Sequence, residues 1–439
     1  MKTLIAAVFG MAALGAFATT TISDVIVRQQ WPWNGKVNID YILHGEEGSQ
    51  HDIAVTLRNG SSVITNEYGS LSGDLIGVTP GARRIVWDPA YPTNNSPSYA
   101  ESLMVNFSAS LSTADDDNTY MIVDLSGGAS AESYPVSFMS APPAGGWTDE
   151  YKTDKLVLRR IPAGTGTLGA PTDEIGYNAD YQLQRKVTFT NDYYIAIFET
   201  TQKQFQNVMG YNATLWGVGD TKPVGYVNYQ FLRGTNSFFK ASDRADGTWP
   251  NHEATSFFGV LNSKVAAALS AAGLGDYEME LPTVSQWEYA CRAGTTGAWN
   301  NGMTITNALS DANADLLAWY QKTTTGSVYE LPEVVGRLTA NAYGLYDMHG
   351  NIGEWTRDRI SFPAWDGSDQ IEPLKYDSAA NALVCGGWRQ QSTGSTGAKY
   401  VRSSSVSQIT YNYNVYPNQT GQNDRGPKYG FRMVLTRKR

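Results

Sequence analysis

Cysteine and histidine are scarce in this chain: two cysteines, Cys291 and Cys385, and four histidines in 439 residues. Two cysteines exclude a disulfide framework. One bridge between them and two free buried thiols both remain open. His44, His51, His252 and His349 are scattered, and none sits in a His-Glu-x-x-His or Cys-x-x-Cys frame. That spacing argues against a histidine-ligated zinc or iron centre. No Gly-x-Ser-x-Gly elbow and no Gly-Lys-Ser/Thr loop occurs, so α/β-hydrolase and P-loop chemistry drop out. Basic residues are in deficit, 33 against 42 acidic, for a net charge of −9. Nucleic acid and anionic membrane surfaces both need a basic face, so neither is expected as a partner. Beyond the N-terminus no apolar run approaches the roughly 20 residues that cross a bilayer. Internal repeats, heptads and long charge blocks are also missing.

What is present points to β structure and loops: 43 glycines, 12 tryptophans and 41% hydrophobic residues. At about 150 residues per domain the length suggests two or three domains. Met1-Lys2 is a short positive start, Leu4 to Ala18 is apolar, and Ala16-Phe17-Ala18 is a small-x-small site. This pattern predicts a secretory signal over 1–18 and an exported protein, whether periplasmic, cell-surface or secreted. A membrane anchor is the alternative, but the run is short for one.

Residues 19–125 alternate apolar and polar side chains in short runs: Ile22 to Val27, Val37 to Tyr41, Ile53 to Leu57, Ile85 to Trp87, Leu103 to Leu111 and Tyr120 to Leu125. Turn residues separate them, and the pattern predicts an antiparallel β-sandwich of immunoglobulin-like size. Asp115 to Asp117 reads most simply as a solvated hairpin turn. Residues 126–154 are rich in Gly, Ser, Ala and Pro and read as a linker, or as an extended strap along a neighbour. From 155 to 439 strand-like runs (Leu156 to Ile161, Val187 to Phe189) mix with a few helices, an α+β pattern. Helices are expected over Thr201 to Met209 and Ser256 to Ala272, and over Ser285 to Arg292 with Thr283 or Ser285 as N-cap.

The most informative block is Asn341-Ala-Tyr-Gly-Leu-Tyr-Asp-Met-His-Gly-Asn-Ile-Gly-Glu-Trp-Thr-Arg-Asp358. Gly344, Gly350 and Gly353 permit a tight loop, and Asp347, Asn351 and Glu354 place side-chain oxygens within eight residues. Oxygens converging from a short loop suit calcium; alternatively they satisfy the loop's own amides.

This block resembles the N-x-x-G-L-Y-D-M-x-G-N-V-W-E-W signature of the formylglycine-generating enzyme family, also called sulfatase-modifying factor domains. Leu281-Pro-Thr-Val-Ser-Gln-Trp-Glu-Tyr-Ala-Cys-Arg-Ala-Gly294 resembles LPTEAEWEYACRAG. Val384-Cys-Gly-Gly-Trp-Arg389, followed by Val401-Arg-Ser403, resembles RGGSW…RSA, and Tyr429-Gly-Phe-Arg-Met-Val-Leu435 resembles the closing GFR strand. The likeness runs from about Lys155 to Thr436 and implies a C-type-lectin-like fold.

Members of this family oxidise a sulfatase cysteine to formylglycine with a cysteine pair that holds copper(I). Here no cysteine follows Cys385, and the places that would carry sulfur hold Gln391 and a residue near Thr396. Amide and hydroxyl groups do not replace thiolate for Cu(I), so no copper is expected. Cys291 corresponds to a core cysteine the family tolerates, and Cys385 stands where it usually has arginine. The His-x-x-x-His-x-Glu motif of the related sulfoxide synthases is absent. The resemblance implies a structural calcium on Asp347 and Glu354 side chains and Gly350 and Ile352 carbonyls, although Gly353 replaces the family's tryptophan.

The expectation is therefore an exported, non-catalytic binder of a glycan or extracellular protein. Its ligand-binding candidates are Trp388, Arg389, Gln390, Gln391, Tyr411, Tyr413 and Tyr416, rigid aromatics beside adaptable amides. An ordinary strand along which Tyr411, Tyr413 and Tyr416 alternate, one face packed and one wet, is the plainer account. Trp287, Trp355 and Phe431 are expected in the core. A divergent sulfatase-activating oxidase is the alternative function.

Overall fold

A computed structural model describes residues 4–5, 20–29, 36–45, 51–59, 62–64, 69–73, 78–89, 103–111, 118–215, 217–234, 252–321, 331–360, 365–375, 381–389, 397–409 and 428–438. The chain divides into two units, Met1–Thr119 and Tyr120–Arg439.

In the first unit the alternation of apolar residues becomes two antiparallel sheets. One orders its strands Leu4–Ile5, Thr21–Gln29, Val37–His44, Gly81–Pro89 and Gly69–Gly73; the other orders Ser62–Ile64, His51–Asn59 and Leu103–Leu111. Ile39, Tyr41, Ile85 and Trp87 from one sheet share a core with Ile53, Leu57 and Val105 from the other. This is the expected sandwich, with the period-2 side chains meeting between sheets. The Asp115 to Asp117 turn lies outside the described residues.

The second unit is built on a six-stranded antiparallel sheet. Its order is Val136–Met139, Tyr120–Asp124, Lys155–Ile161, Tyr193–Ala196, Val434–Arg437 and Tyr277–Glu280. Both faces are covered. Met121, Val123, Leu156 and Leu158 face a core shared with the Gln202–Met209 and Phe257–Ala271 helices. Ile122, Val157, Ile161 and Ile195 face a second core, built against the Val284–Arg292 helix through Val284, Trp287 and Cys291. A four-stranded sheet, Val406–Ile409, Asn381–Cys385, Gly353–Ile360 and Tyr429–Gly430, carries the motif-bearing segments. The unit is α+β, as expected.

Two boundaries differ from the sequence-based expectation. Tyr120 to Leu125 belongs to the second unit and not to the sandwich, pairing with Lys155–Arg159 on one side and Val136–Met139 on the other. Its Tyr-Met-Ile-Val run is buried without alternation, the mark of a strand covered on both faces. Residues 126–154 are a strap, not a free linker. Tyr134 is buried, and its hydroxyl donates to the carbonyls of Gly128 (3.1 Å) and Asn207 (3.0 Å).

The helix ends follow from capping chemistry. Thr201 and Gln204 form a capping box, Thr283 and Gln286 form another, and Ser256 accepts from Gly259 N. Thr283 rather than Ser285 is the cap, because Ser285 Oγ accepts from Arg185 at 3.1 Å.

Candidate functional site

Asp347, Gly350, Ile352 and Glu354 are brought together in one buried turn leading into the Gly353–Ile360 strand. The turn takes Asp347, Gly350 and Asn351 through φ of 55°, 81° and 57°. Asp and Asn tolerate this left-handed region better than most residues. At Gly350 a Cβ would sit 2.2 Å from the Trp319 carbonyl oxygen, so only glycine fits. Asn351 locks the turn from within. Its amide donates to Glu199 Oε2 (2.6 Å), and its side-chain oxygen accepts from Glu333 N (2.8 Å). Glu199 Oε1 in turn accepts from Ile352 N at 3.1 Å.

Glu354 is held from two sides. Arg432 Nη2 donates to Oε1 at 2.9 Å, and Trp287 Nε1 donates to Oε2 at 2.6 Å. Arg432 also donates to the carbonyls of Ala196 (2.8 Å) and Tyr346 (2.7 Å), tying a strand of the central sheet to the turn. Three buried carboxylates, Glu199, Asp347 and Glu354, thus surround one fully buried guanidinium. Burial raises the Asp347 carboxyl to about 6 and pushes Glu199 well above the usual carboxylate range, with the neighbouring carboxylates adding to the latter.

Asp347 Oδ2 accepts from Gly336 N at 2.6 Å, while its Oδ1 is buried without a partner. The orphaned Asp347 Oδ1 is the oxygen open to a hard cation, since both Glu354 oxygens already accept from Arg432 and Trp287. Among the described residues no three His, Cys, Asp or Glu side chains converge as a metal cage. Carbonyls at Gly350 and Ile352 would therefore complete such a set.

The two thiols are both free and buried in the same core. Cys291 Sγ lies 3.9 Å from the Met348 carbonyl and 3.9 Å from His349 Nε2. Burial pushes the Cys291 thiol up to about 12 and Cys385 well above the ordinary thiol range. His349 is a satisfied core histidine: Nδ1 lies 2.7 Å from the Val401 carbonyl, and Nε2 accepts from Asn300 N at 3.2 Å. Burial lowers its pKa to about 4.

An open cleft of about 570 Å³ lies beside Trp388. Trp388 is 8% exposed and meets Tyr429 edge-on at 5.5 Å, with Lys428 Nζ 5.3 Å above its ring. Its Nε1 is a buried donor without an acceptor. The indole also closes over Gly353, where a Cβ would lie 3.0 Å from Trp388 Cε3. In the motifs this sequence resembles, tryptophan stands at the Gly353 place and serine at the Trp388 place. The indole at 388 uses the room that glycine leaves at 353.

Arg389 does not line this cleft. Its guanidinium pairs with Glu333 and lies over the Trp319 ring at 5.1 Å, and its backbone N donates to Asn351 O. Gln390, Gln391, Tyr411, Tyr413 and Tyr416 lie outside the described residues. Trp287, Trp355 and Phe431 are core, as expected. The cleft instead recruits Tyr177, Tyr181, Lys399 and Lys428, none of them expected from the sequence. None belongs to a motif; the one signal was a Tyr-x-x-x-Tyr spacing in a polar loop. Glu199 was missed for a different reason, since its partners are more than 150 positions away.

Residues 148–437 match the family described as "Sulfatase-modifying factor enzyme 1-like domain", about two thirds of the chain. The chain is 27% identical over 270 residues to "Chaperone protein LppX" of Paenibacillus barcinonensis, covering 56% of this chain and 81% of that one. It is 38% identical over 121 residues to "Formylglycine-generating enzyme" of Mycobacterium tuberculosis (strain ATCC 25618 / H37Rv), covering 24% of this chain and 36% of the relative's length. Among solved structures, "Treponema denticola variable protein 1" is similar at 21% identity and a TM-score of 0.45, covering 65% of this chain and 96% of its own. PvdO from Pseudomonas aeruginosa is similar at 20% identity and a TM-score of 0.44, covering 64% and 94%.

Proposed function

The chain belongs to the sulfatase-modifying factor enzyme 1-like family, and from that premise we propose that it is an exported, non-catalytic binding protein. Its ligand, a glycan or a protein, is taken by the cleft beside Trp388. A calcium ion on Asp347, Glu354 and the carbonyls of Gly350 and Ile352 stiffens the turn that backs it. Calcium supplies no chemistry here beyond neutralising buried charge.

The observation that carries the reading is the state of sulfur. The sequence holds two thiols, both buried and protonated, and neither lines the cleft, although Cys385 pairs in register with Val406, which does. Copper(I) needs thiolate, and a substrate cysteine needs access to it. The relative named a chaperone protein supports binding of protein ligands. Export rests on the N-terminal sequence. No helix among the described residues is long and apolar enough to cross a membrane.

The test is a titration of the full chain against immobilised glycans and peptides, with calcium binding followed in parallel by calorimetry. At least one class of ligand should bind, and binding should fall at least tenfold in Trp388→Ala and in Tyr177→Ala, the second being a half-exposed residue whose loss does not threaten the fold. One calcium per chain should bind and be lost in Asp347→Asn. A ligand unaffected by both cleft variants overturns the site. Absence of calcium binding overturns the metal.

A further inference from the structure

The cleft beside Trp388 has a charge that contradicts the rest of the molecule. The chain carries nine more acidic than basic residues. The described residues lining the cleft include Lys399, Arg402 and Lys428 but no aspartate or glutamate.

The three cations are not equivalent. Arg402 is already spent: it is buried, pairs with Glu174, and donates to the carbonyls of Lys399 (2.9 Å) and Gly176 (2.5 Å). It therefore holds the wall of the cleft together. Among the described residues neither lysine has a carboxylate partner. Lys399 lies over the Tyr400 ring at 5.0 Å, and Lys428 lies over Trp388 at 5.3 Å and Tyr429 at 5.1 Å. Aromatic faces stabilise an ammonium modestly and leave its hydrogen-bond donors open. Lys428 is also half-buried, and burial pulls its pKa down. A part-buried cation with no counter-ion is one that a bound anion would stabilise.

The remaining lining is amide, hydroxyl and ring. Asn178, Ser407 and Gln408 offer polar side chains, and Tyr177, Tyr181 and Tyr400 are half-buried. Aromatic faces suit the C–H faces of sugar rings, while amides and hydroxyls both donate and accept as sugar hydroxyls do.

We propose that the ligand of this cleft is an anionic oligosaccharide, its acid groups on Lys399 and Lys428 and its sugar rings against the tyrosines. The inference rests on the reading of this cleft as a binding site and names the ligand class. An acidic peptide is the rival, since the Val406–Ile409 strand is the edge of its sheet among the described residues. That edge is four residues long, and the polar side chains around it match hydroxyls better than a peptide ladder.

The experiment is calorimetric titration of the full chain with four probes: tetragalacturonate, a sulfated tetrasaccharide, a neutral galactose tetramer and hexaglutamate. One or both acidic sugars should bind at least tenfold more tightly than the neutral one, and which of them does so separates carboxylate from sulfate as the acid. The Lys399→Gln/Lys428→Gln double variant should lose at least tenfold, and wild-type binding should weaken as salt rises. A neutral sugar bound as tightly as the acidic ones overturns the proposal, as does hexaglutamate bound more tightly than any sugar. In either case loss of that binding in Tyr177→Ala would leave the cleft standing as a binding site. If no probe binds while other ligands do so through Trp388, the anionic inference fails alone. If nothing binds there at all, both readings fail.

Discussion

The turn around Gly350 and the cleft beside Trp388 lie within the same unit and treat charge in opposite ways. In the turn, buried carboxylates converge on one arginine, and nearly every polar atom has a protein partner. In the cleft, two lysines lie over aromatic rings and, among the described residues, have no carboxylate partner. The turn is assembled from the residues that match the family motifs. Apart from Trp388, Arg402 and the closing-motif Tyr429, the cleft draws on residues that match none. On the proposed function, scaffold and recognition have separated: the first depends on internal satisfaction of charge, the second on charge left for a ligand to satisfy.

Breaking the turn should have the largest effect. Arg432→Ala leaves Glu354 buried without its ion-pair partner, and should cost about 3–5 kcal/mol in the unfolding of the second unit. Urea denaturation followed by tryptophan fluorescence measures it. A loss below about 1 kcal/mol would mean that this carboxylate is not held by the arginine.

The junction of the two regions sharpens the comparison. Gly353→Trp alone drives an indole into Trp388 and should destabilise by about 1–3 kcal/mol. Combined with Trp388→Ser, much of that loss should be recovered, with a coupling of about 1 kcal/mol or more in a double-mutant cycle. Strict additivity would show that the two positions do not share space.

The buried thiol gives a smaller, pH-dependent effect. Burial raises the Cys291 pKa in the folded state to about 12. A group raised on folding contributes stability that is complete below its unfolded value near 9 and is lost as pH climbs from there through the folded value. At pH 10 the loss from this thiol should be on the order of 1 kcal/mol, and Cys291→Ala should remove that part of the alkaline slope. Alkylation by iodoacetamide at pH 8 should be slow in the folded chain and fast in urea. Rapid labelling of the native protein would place an exposed thiolate where the structure has a core residue.

The smallest effect belongs to the cleft. Lys399→Gln should change stability by no more than about 0.5 kcal/mol, because the side chain makes no ion pair among the described residues. A large loss would turn this lysine from a recognition residue into a structural one.

Much of the scaffold was legible in the sequence. Period-2 alternation gave the sandwich strands, an apolar stripe gave the Ser256 to Ala272 helix, and a Thr283 or Ser285 cap gave the helix that ends at Arg292. The Asn341 to Asp358 block gave the oxygen-rich turn. The Tyr120 strand was misassigned because an unbroken apolar run carries no face information, and only its partners show which sheet it joins. Arg389 looked like a neighbour of Trp388 in recognition. Adjacent residues point apart, and Glu333, far away in sequence, claims its guanidinium. The cleft's lysines and tyrosines come from three separate segments with no spacing rule to join them. Only the fold brings them to one place.

The central claim, a binding protein that has no accessible sulfur for oxidation, is tested most directly on a substrate cysteine. The full chain should be incubated with copper, oxygen and a peptide containing Cys-x-Pro-x-Arg, and the peptide followed by mass spectrometry. The account predicts a peptide whose cysteine mass is unchanged after many hours. Conversion of that cysteine to formylglycine, catalysed by this protein and abolished in Cys291→Ala or Cys385→Ala, would contradict it.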